Sequence, residues 1–491
     1  MKHLCFVFGY AVYVMSFLSA KADIIYPLYL APFVIYSVLL VFSFLYSRIM
    51  KIKFTEAFRY FLPSLYFFLL LAGTPVFLKT GLPDPHNFIL RKLELMLGMS
   101  YAFFLAAIII NFVRGAARNK EIESLKRADV FRHTVFFFAV VYASVSMWFN
   151  YANQPTGDEP RYLMVSHSIL YDFDLDLKNN YEKKDYLHFY KKELPSYELV
   201  IDGRIISYHP VLFSLIIAPF YFLMSRLGVV LFVNAAAALL YGLIYLFLEK
   251  SGIKRRTAVI TAGITGLSLP VFMFSNQIAT EIISAALITA ALLQALYYKK
   301  NLFAGASACV LVFLMHPRNM AAAAAIIVIV MFEYRKELAS MIKYTGVQAA
   351  GAVLLIVFNY SVYGVIMPRQ TSGEKGIEEA FSFNITGFLG LFFDREFGLL
   401  FYTPVFALIF AGLFFMYKRS RRLFFYMLIL FLPIYIMSAM WFDWRGGGGS
   451  SPRFFVPVIL FFAAATAFLA DELRCSRAVK LFNGLVGAGF M

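Results

Sequence analysis

The chain has 491 residues, of which 61% are hydrophobic and 15% charged, and its mean hydropathy is +0.72. Soluble domains run at about 45–50% apolar and about 25% charged, so this composition excludes a soluble globular class. The net charge of +16 reads as Lys and Arg gathered in short loops on one side of a membrane, because no basic arm with interleaved aromatics stands apart to suggest nucleic acid.

Many runs of about 20 apolar residues follow one another, each long enough to cross the hydrocarbon core. They predict an all-α, polytopic transmembrane protein of about 13 helices. Residues 4–20 cross outward. Their end, Ser19-Ala20-Lys21, is a weak cleavage signal and a second apolar run follows at once, so a retained helix is expected rather than a signal peptide. Residues 24–46 return to a loop with Arg48, Lys51, Lys53 and Arg59; residues 60–78 go out and 93–113 come back. The loop 114–132 holds six basic and three acidic residues and is the strongest cytoplasmic marker. Residues 133–149 then cross outward and end in Trp148-Phe149-Asn150-Tyr151, an aromatic belt.

The polar segment 150–208 is thereby expected outside. It begins with Thr156-Gly157-Asp158-Glu159-Pro160-Arg161-Tyr162, where a Gly and a Pro bracket two adjacent carboxylates and predict a turn at the membrane surface. Asp172, Asp174 and Asp176 resemble the start of a calcium loop but lack its Gly and distal Glu, and read as a solvated acidic turn. The apolar stretch 209–224 is short and broken by Pro219. If it spanned, the basic loop 250–256 would fall outside, so an interfacial or re-entrant helix is expected.

Residues 229–248 run inward, 257–274 outward and 278–298 back. Two half-length runs, 302–315 and 320–331, flank His316-Pro317-Arg318-Asn319. Residues 344–360 lead to a second outer polar segment, 368–384. Single spans follow at 397–417, 423–440 and 454–470, the last two joined by the outer loop with Trp441-Phe442-Asp443-Trp444-Arg445 and Gly446 to Gly449. Residues 1–130 thus form N-terminal transmembrane helices of unassigned role, 131–470 the core, and 471–491 a basic tail. Cys5, Cys309 and Cys475 make no disulfide framework and no CxxC site.

The polar constellations Asp158/Glu159, His209, Glu281, His316/Arg318, Arg369, Asp394-Arg395-Glu396, Trp444-Arg445 and Arg453 all fall on the outer face of this topology. Each has a plain structural alternative: a helix-terminal acid complementing the dipole, a headgroup anchor or a local salt bridge. Their convergence favours a site, because charges at membrane depth mark pathways or sites. A carboxylate can deprotonate an acceptor, and arginines can hold a lipid-linked phosphate through paired hydrogen bonds. Asp158 and Glu159 are the catalytic candidates. His209, Glu281, Arg318, Arg369, Arg395, Trp444, Arg445 and Arg453 are the candidates for binding. Asp158, Glu159 and Glu281 also offer oxygen ligands of the kind a divalent cation takes, with no other cofactor indicated. No GxxxxGK[ST] or GxGxxG stretch offers a nucleotide phosphate cradle.

The order of these pieces resembles the bacterial membrane glycosyltransferases of the GT-C superfamily, in the family 39-like branch of protein O-mannosyltransferases and aminoarabinose transferases. The matching stretches are Gly157-Asp158-Glu159-Pro160-Arg161-Tyr162, Asp174-Leu175-Asp176-Leu177, His209-Pro210-Val211-Leu212, Asp394-Arg395-Glu396-Phe397-Gly398, and Trp444-Arg445-Gly446-Gly447 through Arg453-Phe454. The resemblance covers roughly residues 131–470. It implies a multi-pass protein of the bacterial inner membrane with an extracytoplasmic first loop carrying interfacial helices. It further implies a polyprenyl-phosphate sugar donor, a lipid, glycan or protein acceptor, inverting transfer, and Asp158 as the base. The family contains metal-dependent and metal-independent members. The first four helices depart from the family's usual start. The competing class is a transporter or flippase for a lipid-linked sugar, favoured by the broken pair around Pro317.

Overall fold

A computed structural model describes residues 125–299, 302–366, 381–447 and 453–473. The chain divides into two compact units, Met1–Asn119 and Lys120–Met491, and all described residues belong to the second. The four helices expected in residues 1–124, part of the expected total of about 13, and all but the first three residues of the basic tail 471–491 lie outside the described residues.

The described part is mostly helical. Helix α1 (Arg127–Ala152) leads into α2 (Glu159–Tyr171) and α3 (Lys178–Lys183). A two-stranded antiparallel hairpin follows, β1 (Leu199–Ile201) with β2 (Arg204–Ile206). The remaining helices are α4 (Val211–Lys250), α5 (Arg255–Gly266), α6 (Val271–Phe274), α7 (Thr280–Leu296), α8 (Leu302–Met315), α9 (Met320–Glu333), α10 (Leu338–Tyr363), α11 (Ile385–Phe393), α12 (Leu399–Tyr402), α13 (Ile409–Arg419), α14 (Arg421–Met440) and α15 (Ile459–Glu472). Among the described residues five helical stretches are long and apolar enough to cross a membrane: Arg127–Ser146, Val211–Lys250, Leu338–Tyr363, Arg421–Met440 and Arg453–Glu472. Helix α10 turns Val353, Leu354, Ile356 and Val357 outward, which suits lipid and not water.

Packing follows membrane rules, with small residues and polar side chains at helix contacts. Gly412 of α13 presses on the Ala465 carbonyl of α15. Gln348 of α10 donates to the Ala306 carbonyl of α8 at 2.8 Å. Asn234 of α4 donates to Ser146 Oγ of α1 at 2.8 Å and to the Ser275 carbonyl at 2.6 Å.

The stretch before residue 225 is a separate element, though not broken where expected. Met224 and Ser225 carry non-helical backbone angles inside α4. The chain doubles back there: the Phe220 and Phe232 rings stack at 4.3 Å, although twelve positions of straight helix would separate them by about 18 Å. The break falls at Met224–Ser225 and not at Pro219, which remains inside the helix.

The half-length pair is also as expected, with α8 and α9 joined by a 3₁₀ turn at Pro317–Asn319. Two other expectations need correction. The stretch 257–274 is not one span but α5 and α6, separated around Pro270. The stretch 397–417 is not one span but α12, a 3₁₀ turn at Pro404–Leu408 and α13. Hydropathy reports burial and not helix continuity, and a proline removes an N–H and disfavours helix in the residue before it.

Candidate active site

The site is assembled from helix starts. Asp158 is the N-cap of α2, with Gly157 ahead of it at φ +58, a backbone conformation that suits glycine. Pro160 sits within the first two helical positions, where its missing N–H costs nothing. An N-cap Asp ordinarily lends its carboxylate to the helix's first free N–H groups. Here the side chain makes no capping bond. It turns to Arg453 instead, whose Nη1 donates to Oδ2 at 3.2 Å.

Arg453 stands at the head of the 3₁₀ turn Arg453–Val458 before α15. Its Nε also lies 3.8 Å from Glu281 Oε1. Glu281 occupies the first turn of α7 and accepts from Arg318 Nη2 at 3.2 Å. Arg318 sits in the turn between α8 and α9. That turn is held by His316, whose Nδ1 accepts from the Arg318 backbone N–H, and by Asn319, which donates to Ser284 Oγ of α7 at 2.8 Å. The Phe454 ring faces both guanidiniums, at 4.3 Å from Arg318 and 5.6 Å from Arg453.

On the other flank, His209 Nε2 approaches Asp158 Oδ1 at 3.8 Å. The His209 ring lies beside Tyr208 and Tyr162, with centroids at 4.2 and 4.9 Å. The result is a string of alternating character: His209, Asp158, Arg453, Glu281, Arg318. Asp158 and Arg453 are its accessible members, with side chains 32% and 26% exposed, against 8% for His209 and 5% for Glu281.

Burial raises the Asp158 carboxyl, but the Arg453 guanidinium overcomes this and holds it below the ordinary carboxylate range. Burial pushes His209 down to about 4, so it is neutral at pH 7 and its approach to Asp158 is no ion pair. Glu159 turns away from this string. It is buried, lies 3.5 Å from Arg226 Nη2, and burial pushes its carboxyl up to about 7 against the pull of Arg226.

The three carboxylates considered for a cation do not converge. Arg453 lies between Asp158 and Glu281, and Glu159 faces Arg226. Among the described residues no group of three His, Cys, Asp or Glu side chains is arranged to hold a metal. This donor set does not fit a divalent cation.

A second charged group abuts the first. Asp394 caps the end of α11, accepts the backbone N–H groups of Glu396 and Phe397, and pairs with Arg445 Nη2 at 3.2 Å. The Arg445 guanidinium lies between the Phe397 and Trp444 rings, and Trp444 packs on Gly390. Gly446, at φ +72, follows directly and lies against the Arg453 side chain. Arg395 is exposed. Arg369 and residues 448–452 of the glycine-containing loop lie outside the described residues. An apolar cleft of about 300 Å³ lies between α11, α13 and α14, lined by Phe392, Phe393, Phe410, Phe431 and Tyr435; its wall reaches Phe393, the neighbour of Asp394.

The fold thus brings Asp158, His209, Glu281, Arg318 and Arg453 together, sets Trp444 and Arg445 beside them, and turns Glu159 away. Asp172, Asp174 and Asp176 serve local turns: Asp172 accepts from Asn180, Asp174 from Ser168, and Asp176 from the Lys178 and Ile205 N–H groups. Sequence reasoning missed Arg226 and Phe454. Arg226 did carry a signal, as the lone charge in the middle of the apolar stretch Val211–Lys250, where a charge demands a partner.

No protein-family model matches the chain, and neither does any curated protein. The chain is similar to the crystal structure of ArnT from Cupriavidus metallidurans bound to undecaprenyl phosphate, at 15% identity and a TM-score of 0.47, and to the same protein in the apo state, at 15% identity and 0.46. Each match covers 70% of this chain and 61% of that protein.

Proposed function

We propose that this chain is an integral membrane glycosyltransferase of the GT-C type. It would move a sugar from a polyprenyl-phosphate donor to an acceptor on the extracytoplasmic face of the bacterial inner membrane. The observation that carries the reading is the string around Asp158. Five separate segments contribute to it, and its two accessible members are a carboxylate and a guanidinium 3.2 Å apart. That pairing suits displacement at a sugar carbon bearing a phosphate.

In this reading the acceptor hydroxyl attacks the anomeric carbon while its proton passes to Asp158. The bond from that carbon to the phosphate oxygen breaks, and the lipid phosphate leaves with the electron pair. Arg453, with Arg318 behind Glu281, offsets the charge gathering on the leaving oxygen. His209, neutral and buried, walls the other side of Asp158, with Nε2 at 3.8 Å from Oδ1. Arg395, Arg445 and Arg369 are secondary candidates for the donor phosphate. Arg445 and Trp444 stand beside the apolar cleft, where a prenyl tail finds a matching surface. Glu159 serves the turn through Arg226 and has no direct part in transfer.

The test is a panel of radiolabelled polyprenyl-phosphate sugars with the purified protein and Asp158→Asn. The variant keeps the shape and removes the base, so it should retain donor binding and lose transfer by about a hundredfold or more. Near-parental transfer by the variant contradicts this reading. The meeting of half-length helices α8 and α9 at Arg318 favours a second reading, a lipid-linked sugar flippase. Translocation in proteoliposomes without transfer would select it.

A further inference from the structure

A base and a phosphate ligand that are bonded to each other obstruct each other's work. Arg453 Nη1 is engaged by Asp158 Oδ2 at 3.2 Å, and its Nε faces Glu281. Glu281 also holds Arg318, so it keeps a cation when Arg453 moves. Among the described residues Asp158 has no second guanidinium at bonding distance: Arg161, one turn on in α2, donates to the Gly157 carbonyl and faces Glu198 at 3.6 Å. Among the described residues the side chains that bear on Asp158 are Arg453, His209 and Arg161, with the Tyr162 and Tyr208 hydroxyls close by. Of the two acids, Asp158 is the one that loses its partner if Arg453 turns to a ligand. Arg453 is a quarter exposed, and Gly446 beside it presents no side chain.

We infer that Arg453 is a substrate-operated gate on Asp158: in the free protein it is clamped on the carboxylate, and a lipid-linked phosphate draws it away, freeing Asp158 only when donor is bound. This rests on the reading under Proposed function and adds the order of events. The phosphate and the Asp158 carboxylate compete for one guanidinium, which gives Asp158 a single N–H and can offer a phosphate its paired fork. Release of Arg453 removes the contact that holds the Asp158 carboxyl low and restores its basicity beside the substrate. An idle site, without donor, then keeps a weak base that does not activate water or acceptor. No bond beyond those of the transfer itself is made or broken.

Competition has a signature that is independent of turnover. The affinity of polyprenyl phosphate for the purified full chain is measured calorimetrically for four proteins: parent, Asp158→Asn, Arg453→Gln and the double variant. Inorganic phosphate serves as the second ligand. Removing the competing carboxylate should tighten polyprenyl phosphate binding by three- to tenfold in the parent background, and leave it unchanged in the Arg453→Gln background. A gain of equal size in both backgrounds would be simple relief of charge repulsion and would overturn the gate. So would unchanged affinity in Asp158→Asn. Inorganic phosphate should bind at least a hundredfold more weakly than the lipid phosphate; equal affinity for both would make this an anion site with no lipid specificity and would refute the gate as stated. Absence of lipid phosphate binding by the parent refutes the glycosyltransferase reading itself, an outcome distinct from loss of the gate alone. If Arg453→Gln does not fold, Arg453→Lys replaces it. It keeps the charge but not the fork, and the gain on adding Asp158→Asn should shrink at least twofold.

Discussion

Asp158 and Glu159 share a peptide bond and meet opposite surroundings. The first helical turn of α2 points one toward Arg453 and the other toward Arg226 and the backbone N–H groups of Thr156 and Ile278. Glu159 carries the clearer consequence for stability. Its folded pKa, about 7, lies above the ordinary glutamate value. Such a group favours the folded state fully below the unfolded value, and that contribution is lost as pH rises through about 7. The loss is on the order of 3 kcal/mol. Asp158 and His209 act in the other direction. Both are lowered, so their contribution is present at neutral pH and is lost on acidification. Thermal melts of detergent-solubilised protein from pH 5 to 8 should therefore be compared as parent minus Glu159→Gln. The difference should fall with rising pH. A difference flat across that range would mean that Glu159 does not titrate there. The importance of Asp158 was legible because Gly157 and Pro160 bracket it. Its partner was not, since Arg453 is 295 positions away.

At the scale of elements, prolines are an ambiguous signal. Pro270, Pro317 and Pro404 stand at breaks, while Pro219 and Pro433 lie inside α4 and α14. Neighbouring helices decide whether the freed backbone groups find partners. Close contacts between helices were equally invisible in the sequence, because one glycine reads like another. Gly412 is a strong case: a Cβ there would collide with the Ala465 backbone, which belongs to another helix and cannot swing aside as a side chain does. Gly412→Ala should cost about 1–3 kcal/mol of stability, the range for overpacking. It should lower the melting temperature and leave donor affinity per folded molecule unchanged. An unaltered melting temperature would show that α13 and α15 can separate at no cost.

At the scale of the molecule, charge is sorted to two ends. One end holds the string around Asp158. At the other, Glu249 takes Arg127 and Arg255, Glu333 takes Lys299 and Arg422, and Asp471 takes Arg419. These groups are joined across helices, Arg419 to the Gly252 carbonyl and Tyr297 to Ser251. The part of α4 after the break at Met224–Ser225 runs between the two layers, from Arg226, paired with Glu159 beside Asp158, to Glu249 near its end. The 17 residues of α7 separate Glu281 from the basic layer by about 25 Å, less than the roughly 30 Å of a hydrocarbon core. That length argues for a site recessed below the far membrane surface, where a lipid-borne phosphate is in reach. If the basic layer is cytoplasmic, the polar segment with α3 is outside. A cysteine introduced at Lys183, exposed at the end of α3, should then react in intact cells with a membrane-impermeant maleimide. Labelling that requires permeabilisation would reverse the topology and the proposed function with it.

The sequence by itself determined the class of this protein, most of the helical stretches among the described residues, and the groups of polar residues that gather at one end. Those follow from local physics: apolar length against bilayer thickness, the sorting of Lys and Arg, and the turn chemistry of Gly and Pro. It also singled out the acids and arginines, because charges are too costly in an apolar chain to lack a purpose. Only the tertiary structure decided which of them meet. Asp158 faces Arg453, Glu281 is shared by Arg318 and Arg453, and Glu159 is turned to Arg226. Pairing at 3 to 4 Å depends on the rotation of each helix about its axis and on where each helix breaks. Both are set by contacts between residues far apart in the chain, which the local pattern does not encode.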